Sequence, residues 1–279
     1  MKTISRRQFL GRSAAGLAAA GYLAAEPFGM PAGFQTYPIA KTFVADVDGT
    51  LQQLAAIGYR SVETCSPPGY KDLFGPLISM RPSELRERFR KAGLVCDSSH
   101  YQFGELKESL PDRLAYAKEL GLQQMIISSF GLPKSATMDD WRRACDDANR
   151  IGAQTQKAGI PLGFHNHGME LAQIDGVLIF DEMMRRLDPA LVKMQCQIVN
   201  VVGAGLDPVA FITKYPGRFI SLHLADQTAE RRQAPVGNGV IDWKNVFAAM
   251  KTGGMRNYYV EMNMDALKES IPFLRNLTV

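Results

Sequence analysis

The sequence predicts a single (β/α)8 TIM barrel. From about residue 33 onward, short apolar segments alternate with longer amphipathic ones, a pattern typical of buried parallel strands joined by helices. Four helix-to-strand turns repeat one arrangement, in which a glycine ends the helix and an apolar residue opens the strand, as at Ala92-Gly93-Leu94. Eight such units within 279 residues favour a closed barrel over an open sheet.

The individual elements follow from the same alternation. Glycine suits these turns because it accepts the left-handed conformation after a helix. No Gly-x-Gly-x-x-Gly follows the first strand, which argues against a dinucleotide-binding sheet. We predict strands at Gly33–Tyr37, Ser61–Glu63, Leu94–Ser98, Gln124–Ser128, Pro161–His165, Val192–Gln197, Phe219–His223 and Tyr258–Glu261. We predict helices at Val47–Ala56, Pro82–Ala92, Glu108–Leu120, Met138–Ala158, Ile179–Arg186, Pro208–Tyr215, Trp243–Met250 and Ala266–Leu277.

The first 25 residues differ from the rest in composition. The segment Ser5-Arg6-Arg7-Gln8-Phe9-Leu10 is typical of a twin-arginine export signal, and an Ala- and Gly-rich run to Ala25 follows it. That run is shorter than the roughly 20 apolar residues needed to cross a bilayer. We therefore expect a signal peptide over 1–25, a barrel domain over 26–279 and a periplasmic or extracytoplasmic location. Membrane contact is expected only through an uncleaved signal segment.

Charge and cysteine content exclude some classes of function. The net charge is +4, and the basic residues are spread along the predicted helices, so no nucleic-acid partner is expected. The four cysteines have no Cys-x-x-Cys spacing, which argues against a cysteine-rich zinc site. We expect them to be free, buried side chains rather than a disulfide framework.

Histidines mark one end of the predicted barrel. The chain has four, and each lies at or near the C-terminal end of a predicted strand: His100, His165, His167 and His223. Barrels of this kind build their active sites at that end. A single histidine there is more often a packed or surface residue, but four at one rim indicate a site.

Carboxylates are predicted at the same rim. Glu63 and Glu261 end the second and eighth strands, and Glu170 follows the His165-Asn166-His167 turn. A carboxylate that ends an apolar strand is costly to bury unless a metal, a sugar hydroxyl or a basic residue pairs with it. Imidazole, carboxylate and amide ligands suit a divalent Mn, Co, Zn or Mg ion. Such an ion can polarise a sugar carbonyl and stabilise an enediolate while a neighbouring base moves the proton.

Five segments carry a resemblance to a known family. They are Gly163–Glu170, Lys214–Phe219, His223–Asp226, Val236–Trp243 and Tyr259–Glu261. Together they resemble the sugar phosphate isomerase/epimerase family, also called the xylose isomerase-like TIM barrels, and the resemblance runs from Gly33 to the last strand.

The resemblance implies a metal site on strands five to eight. The family's usual ligands are a Glu, an Asp, a His and a Glu, and the last two match His223 and Glu261. His165 and Gln197 stand at the strand-five and strand-six positions, so the site loses two negative charges and should hold a divalent ion less tightly.

The same resemblance implies the other roles. Glu261 becomes the natural general base, and a second proton carrier must come from elsewhere. We assign the catalytic roles to Glu261, His167 and Glu170, and substrate binding to Glu63, His100 and Asn166, with Glu63 and His100 as further proton-carrier candidates.

Three functions remain open on the sequence. The first is a metal-dependent isomerase or epimerase that abstracts a proton next to a sugar carbonyl. The second is a lyase or hydratase that acts on keto-glycosides at the same site, because the altered ligands weaken the usual two-carboxylate proton shuttle. The third is a non-catalytic, exported sugar-binding barrel. The expected partner is a small sugar or keto-glycoside, and homo-oligomers are common among such barrels.

Overall fold

The fold was analysed in a computed structural model that describes residues 29–278. Eight parallel strands close into a barrel in which sequential strands are neighbours and the last strand pairs with the first. The barrel prediction is therefore confirmed, whereas the predicted signal peptide lies outside the described residues. The strands are β1 (Gly33–Gln35), β2 (Ser61–Cys65), β3 (Val95–Tyr101), β4 (Gln124–Ile127), β5 (Leu162–His165), β6 (Val192–Gln197), β7 (Phe219–Leu224) and β8 (Asn257–Val260).

Helices surround the barrel and include three short ones that were not predicted: α1 (Ala40–Ala45), α3 (Lys71–Phe74) and α8 (Ile198–Gly203). Helix α5 (Phe103–Leu120) begins five residues ahead of the predicted start. It is kinked at Ser109, which has a non-helical φ of −137° and lies just before Pro111. The helices are α1 (Ala40–Ala45), α2 (Val47–Ile57), α3 (Lys71–Phe74), α4 (Pro82–Lys91), α5 (Phe103–Leu120), α6 (Met138–Lys157), α7 (Ile179–Arg186), α8 (Ile198–Gly203), α9 (Pro208–Lys214), α10 (Trp243–Gly253) and α11 (Met264–Asn276).

Alternation along each strand divides the barrel into an apolar outside and a polar inside. Phe34, Val62 and Phe164 are fully buried and belong to the apolar core. Their neighbours along the strands point the opposite way, into the barrel. The interior is built of polar side chains joined by hydrogen bonds across the barrel, among them Gln35, Glu63, Ser98, Gln124, Gln195, Ser221 and His223. TIM barrels usually fill this space with branched aliphatic residues, so a polar interior points to a function.

A bulge in β3 decides which of its residues face the interior. Val62 pairs with Cys96 but Glu63 pairs with Ser98, so Asp97 is an extra residue in the strand. The shift places Ser98 beside Glu63. Strand β3 continues to Tyr101, three residues beyond the predicted end, so that His100 lies within the strand.

Two further predictions can be compared with the structure. All four cysteines are free and buried. The four helix-ending glycines of the repeated turn, Gly58, Gly93, Gly121 and Gly159, all have positive φ, as the pattern requires. None of the helices among residues 29–278 is long and apolar enough to cross a membrane.

Candidate active site and metal centre

Three imidazoles meet at the carboxyl end of the barrel. His100 comes from β3, His165 from β5 and His223 from β7, and all three are buried. Their ring centroids are 4.6 to 5.3 Å apart. One ring nitrogen of each lies within 4.8 Å of those of the other two, which is close enough for a common metal ion. The fourth histidine, His167, is exposed above them, with its ring centroid 4.9 Å from that of His165.

His223 lies between two carboxylates. Its Nε2 donates to Glu63 Oε1 at 2.5 Å, and its Nδ1 lies 3.0 Å from Glu261 Oε2. Burial alone would lower the pKa of His223, but the two carboxylates raise it to about 9. Burial alone would raise the pKa of the Glu261 carboxyl, but the neighbouring His223 imidazole holds it below its ordinary value. Glu261 is therefore ionised at neutral pH and can act as a base.

Gln197 faces Glu261 across the rim. Its Nε2 donates to Glu261 Oε2 at 2.5 Å, and its backbone N–H donates to Asn166 Oδ1 at 3.0 Å. Its amide oxygen is buried and has no hydrogen-bond partner among the described residues. A buried amide oxygen without a partner costs about 1–3 kcal/mol, and a bound cation would satisfy it. The Gln197 side chain thus fits the metal-ligand role that the sequence assigns to it.

His165 is held as a neutral ligand-type imidazole. Its Nδ1 donates to Gln195 Oε1 at 2.8 Å, which leaves Nε2 free to bind a metal. Burial, together with the neighbouring imidazoles of His223 and His100, lowers the pKa of His165 well below its ordinary value. The four predicted ligands, His165, Gln197, His223 and Glu261, therefore lie on adjacent strand ends, and a bound cation would have to displace a proton from His223.

The remaining predicted site residues have different surroundings. Glu63 is fully buried beneath the imidazoles instead of lying at the rim. Glu170 is also buried, and its Oε2 accepts from the backbone N–H of His167 at 2.7 Å; burial raises its pKa. The side-chain oxygen of Asn166 accepts from the backbone N–H of Gln197 in β6. Its Nδ2 is buried without a hydrogen-bond partner in the part of the chain described. Glu170 and Asn166 thus order the turn that presents His167.

Sequence reasoning missed two residues that organise the site. Gln195 of β6 connects Glu63 with two imidazoles. Asp226 holds the loop after β7, where its carboxylate accepts from the backbone N–H groups of Gly237 and Gly239 and from Trp243 Nε1. A Cβ at Gly239 would lie 2.0 Å from Asp226 Oδ1, which explains the glycine there. The segment Val236–Trp243 contains these N–H donors, but its sequence does not show which side chain accepts from them.

The family model of the Xylose isomerase-like TIM barrel matches residues 51–277. The chain belongs to this family. A curated relative, inosose dehydratase from Geobacillus kaustophilus, is 22% identical over 243 residues, which cover 73% of this chain and 75% of the relative.

Solved structures agree with the family assignment. A sugar phosphate isomerase/epimerase from Parabacteroides distasonis has a TM-score of 0.74 and 26% identity over 88% of this chain and 94% of its own. The IOLI protein, solved with a bound zinc atom, has a TM-score of 0.66 over 89% of this chain and 96% of its own. At 14% identity the second likeness shows the fold alone.

Proposed function

We propose that this member of the xylose isomerase-like TIM barrels is a metal-dependent enzyme that removes a proton next to the carbonyl of a small sugar or cyclitol ketone and then eliminates a hydroxyl group. The observation that carries the proposal is the buried, unpartnered oxygen of Gln197 beside the ionised Glu261 and two histidines. This donor set is suited to a cation and lies at the end of the barrel where enzymes of this fold act.

Four side chains would hold the ion: His165, Gln197, His223 and Glu261. A bound divalent ion would polarise the substrate carbonyl and stabilise the negative charge that develops on its oxygen. With imidazole nitrogens in the set and His100 beside them, the site favours zinc or cobalt over magnesium, which prefers oxygen ligands. The zinc bound by the IOLI protein is in keeping with this preference.

Glu261 is the proposed base. Its carboxylate is 18% exposed, so a substrate can reach it, and it is ionised for the reason given above. It takes the proton from the carbon next to the carbonyl, and the electron pair left behind forms the enolate. The enolate then expels the hydroxyl group on the next carbon. Burial lowers the pKa of His167, but its exposed edge can take up a proton from solvent and pass it to the departing hydroxide, which leaves as water.

Elimination is preferred because the second carboxylate of a proton shuttle is missing. Returning a proton to the opposite face of the same carbon, as in epimerisation, requires a second acid or base, which the family resemblance places at strand five. His165 occupies that position, but its Nδ1 is committed to Gln195 and its lowered pKa keeps it neutral. The inosose dehydratase relative supports the same choice. Isomerisation or epimerisation is the second candidate, favoured by the likeness to the Parabacteroides sugar phosphate isomerase/epimerase.

Metal loading and product analysis test the proposal together. Zinc or cobalt should raise the melting temperature, and in D2O the loaded protein should dehydrate inosose or, by the same elimination, release the aglycone of a 3-keto-glycoside. Glu261→Gln should lose turnover and keep its fold, whereas the matched control Glu105→Gln, a partly buried carboxylate outside the cluster, should keep both. Deuterium incorporation without elimination would favour the isomerase. Absence of both metal binding and turnover would leave a sugar-binding barrel and refute the proposal.

Export is proposed on separate grounds. The twin-arginine pattern at Arg6 and Arg7 supports a periplasmic or extracytoplasmic location, and export in a folded state would allow metal loading beforehand. Cell fractionation of the full chain beside an Arg6→Lys, Arg7→Lys variant tests this. Retention of the variant in the cytoplasm is expected, and equal export of both proteins would contradict it.

A further inference from the structure

We propose that Glu63 is a positioning residue that fixes, through Gln195, which ring nitrogen of His165 is left to face a metal ion. The inference rests on the proposed metal site and assigns Glu63 a role other than substrate contact.

Glu63 receives an unusually large number of hydrogen bonds for one carboxylate. Its Oε1 lies 2.9 Å from Gln35 Nε2, 3.0 Å from His100 Nε2 and 2.5 Å from His223 Nε2. Its Oε2 lies 2.5 Å from Ser98 Oγ and 2.8 Å from Gln195 Nε2. Both oxygens are thus surrounded by amide, hydroxyl and imidazole groups that can donate, and a carboxylate oxygen accepts from such groups.

The orientation of the Gln195 amide follows from that requirement. Its Nε2 donates to Glu63 Oε2 and, at 2.9 Å, to Ser221 Oγ. Its oxygen therefore faces the other way, toward His100 Nε2 at 2.7 Å and His165 Nδ1 at 2.8 Å. A flipped amide would place its oxygen against the Glu63 carboxylate, where two acceptors would face each other. Because Glu63 fixes the orientation of its amide, Gln195 presents a hydrogen-bond acceptor to His100 and His165.

The result is one defined tautomer for His165. Its proton lies on Nδ1, because that atom faces the Gln195 oxygen, and its Nε2 keeps the lone pair. His223 differs, because its Nε2 faces Glu63 and its Nδ1 faces Glu261, so both of its nitrogens meet carboxylate oxygens. Metal ligation needs an unprotonated nitrogen, and the partner of the other nitrogen sets which one is available. One buried carboxylate on β2 therefore acts, through Gln195 of β6, on the imidazole that ends β5.

Two matched substitutions distinguish a positioning role of Glu63 from a purely structural one. Glu63→Gln keeps the size of the side chain but adds an N–H donor, so His223 and His100 need no longer donate to it. Asp97→Asn is the matched control, since Asp97 is another acid within the barrel and is bonded to Ser61 Oγ and Tyr259 OH instead of to an imidazole. Both substitutions remove one carboxylate from the barrel, but only the first changes the direction of hydrogen bonds at the histidines.

Two measurements test the inference. Zinc affinity by chelator competition, with the visible spectrum of the cobalt form, should show about a 10–100-fold loss in Glu63→Gln and less than about a threefold loss in Asp97→Asn. Histidine-labelled NMR of the metal-free wild type should show His165 protonated at Nδ1 alone, and this readout needs no variant to fold. In Glu63→Gln, His165 should become a mixture of the Nδ1-protonated and Nε2-protonated forms.

The outcomes separate this inference from the proposed function. If the wild type binds neither zinc nor cobalt, the metal-dependent function fails, whereas the His165 tautomer still tests the network. If the wild type binds metal and Glu63→Gln binds it equally well with unchanged spectra, the positioning role is overturned. Protonation of His165 at Nε2 in the wild type would overturn it as well.

Discussion

Replacing Gln197 with Glu tests the altered charge of the site directly. The Gln197 amide donates to Glu261 Oε2 at 2.5 Å, and the variant would place a second carboxylate there. Two ionised carboxylates about 4 Å apart repel by about 4 kcal/mol at an effective dielectric constant of about 20. Protonating one of them at pH 7, against an ordinary pKa of about 4.3, also costs about 4 kcal/mol. Because the His223 cation offsets part of either cost, we expect the metal-free variant to lose about 2 to 4 kcal/mol.

Denaturant unfolding of the chelator-treated protein measures this loss. At pH 5 protonation costs only about 1 kcal/mol, so the deficit of Gln197→Glu should shrink as the pH falls. Gln197→Met is the control, because it removes the hydrogen bond without adding a charge and its deficit should not change between pH 5 and pH 7. Zinc or manganese should stabilise Gln197→Glu more than the wild type. A variant as stable as the wild type at pH 7, or one whose deficit is independent of pH, would refute the facing arrangement of Gln197 and Glu261.

Three other predictions concern groups around the site. Burial raises the pKa of Glu105 from 4.5 to about 7. The protonated side chain therefore adds up to about 3 kcal/mol to the free energy of unfolding below pH 4.5, and this stability is lost as the pH rises through 7. Glu105→Gln should remove that pH dependence in denaturant unfolding at pH 5 and 8, and an unchanged dependence would contradict it. Asp226→Ala should cost at least about 3 kcal/mol and increase hydrogen exchange in residues 226–243, because buried N–H groups lose their acceptor. Normal protection of that loop would count against this role. Tyr259→Phe should cost about 1 to 2 kcal/mol in thermal unfolding, since Asp97 loses a hydrogen bond of 2.7 Å, and a neutral effect would show that the bond is not needed.

Much of the candidate site could be predicted from the sequence, because in a barrel each strand end lies at one rim. The positions of His165, His223 and Glu261 follow from counting strands, and the structure brings them together with Gln197. Their roles as metal ligands and base stay predictions. The depth of Glu63 could not be predicted, because β2 runs two residues beyond it, to Cys65. The role of Gln195 was equally hidden, since a glutamine on a strand shows nothing of which acids and imidazoles lie opposite it.

The sequence by itself determined the barrel, its order of strands and helices and the end at which polar side chains collect. These features depend on local periodicity and on glycine at helix ends, and a chain of amino acids displays both directly. Only the tertiary structure decided how the strands are aligned with one another. The extra residue at Asp97 places Ser98 beside Glu63, and barrel closure brings Glu63 and Gln195 against imidazoles from three strands. Register and closure depend on contacts between residues far apart in the chain, so the direction of each hydrogen bond, and with it the state of each histidine, is fixed only when the barrel has closed.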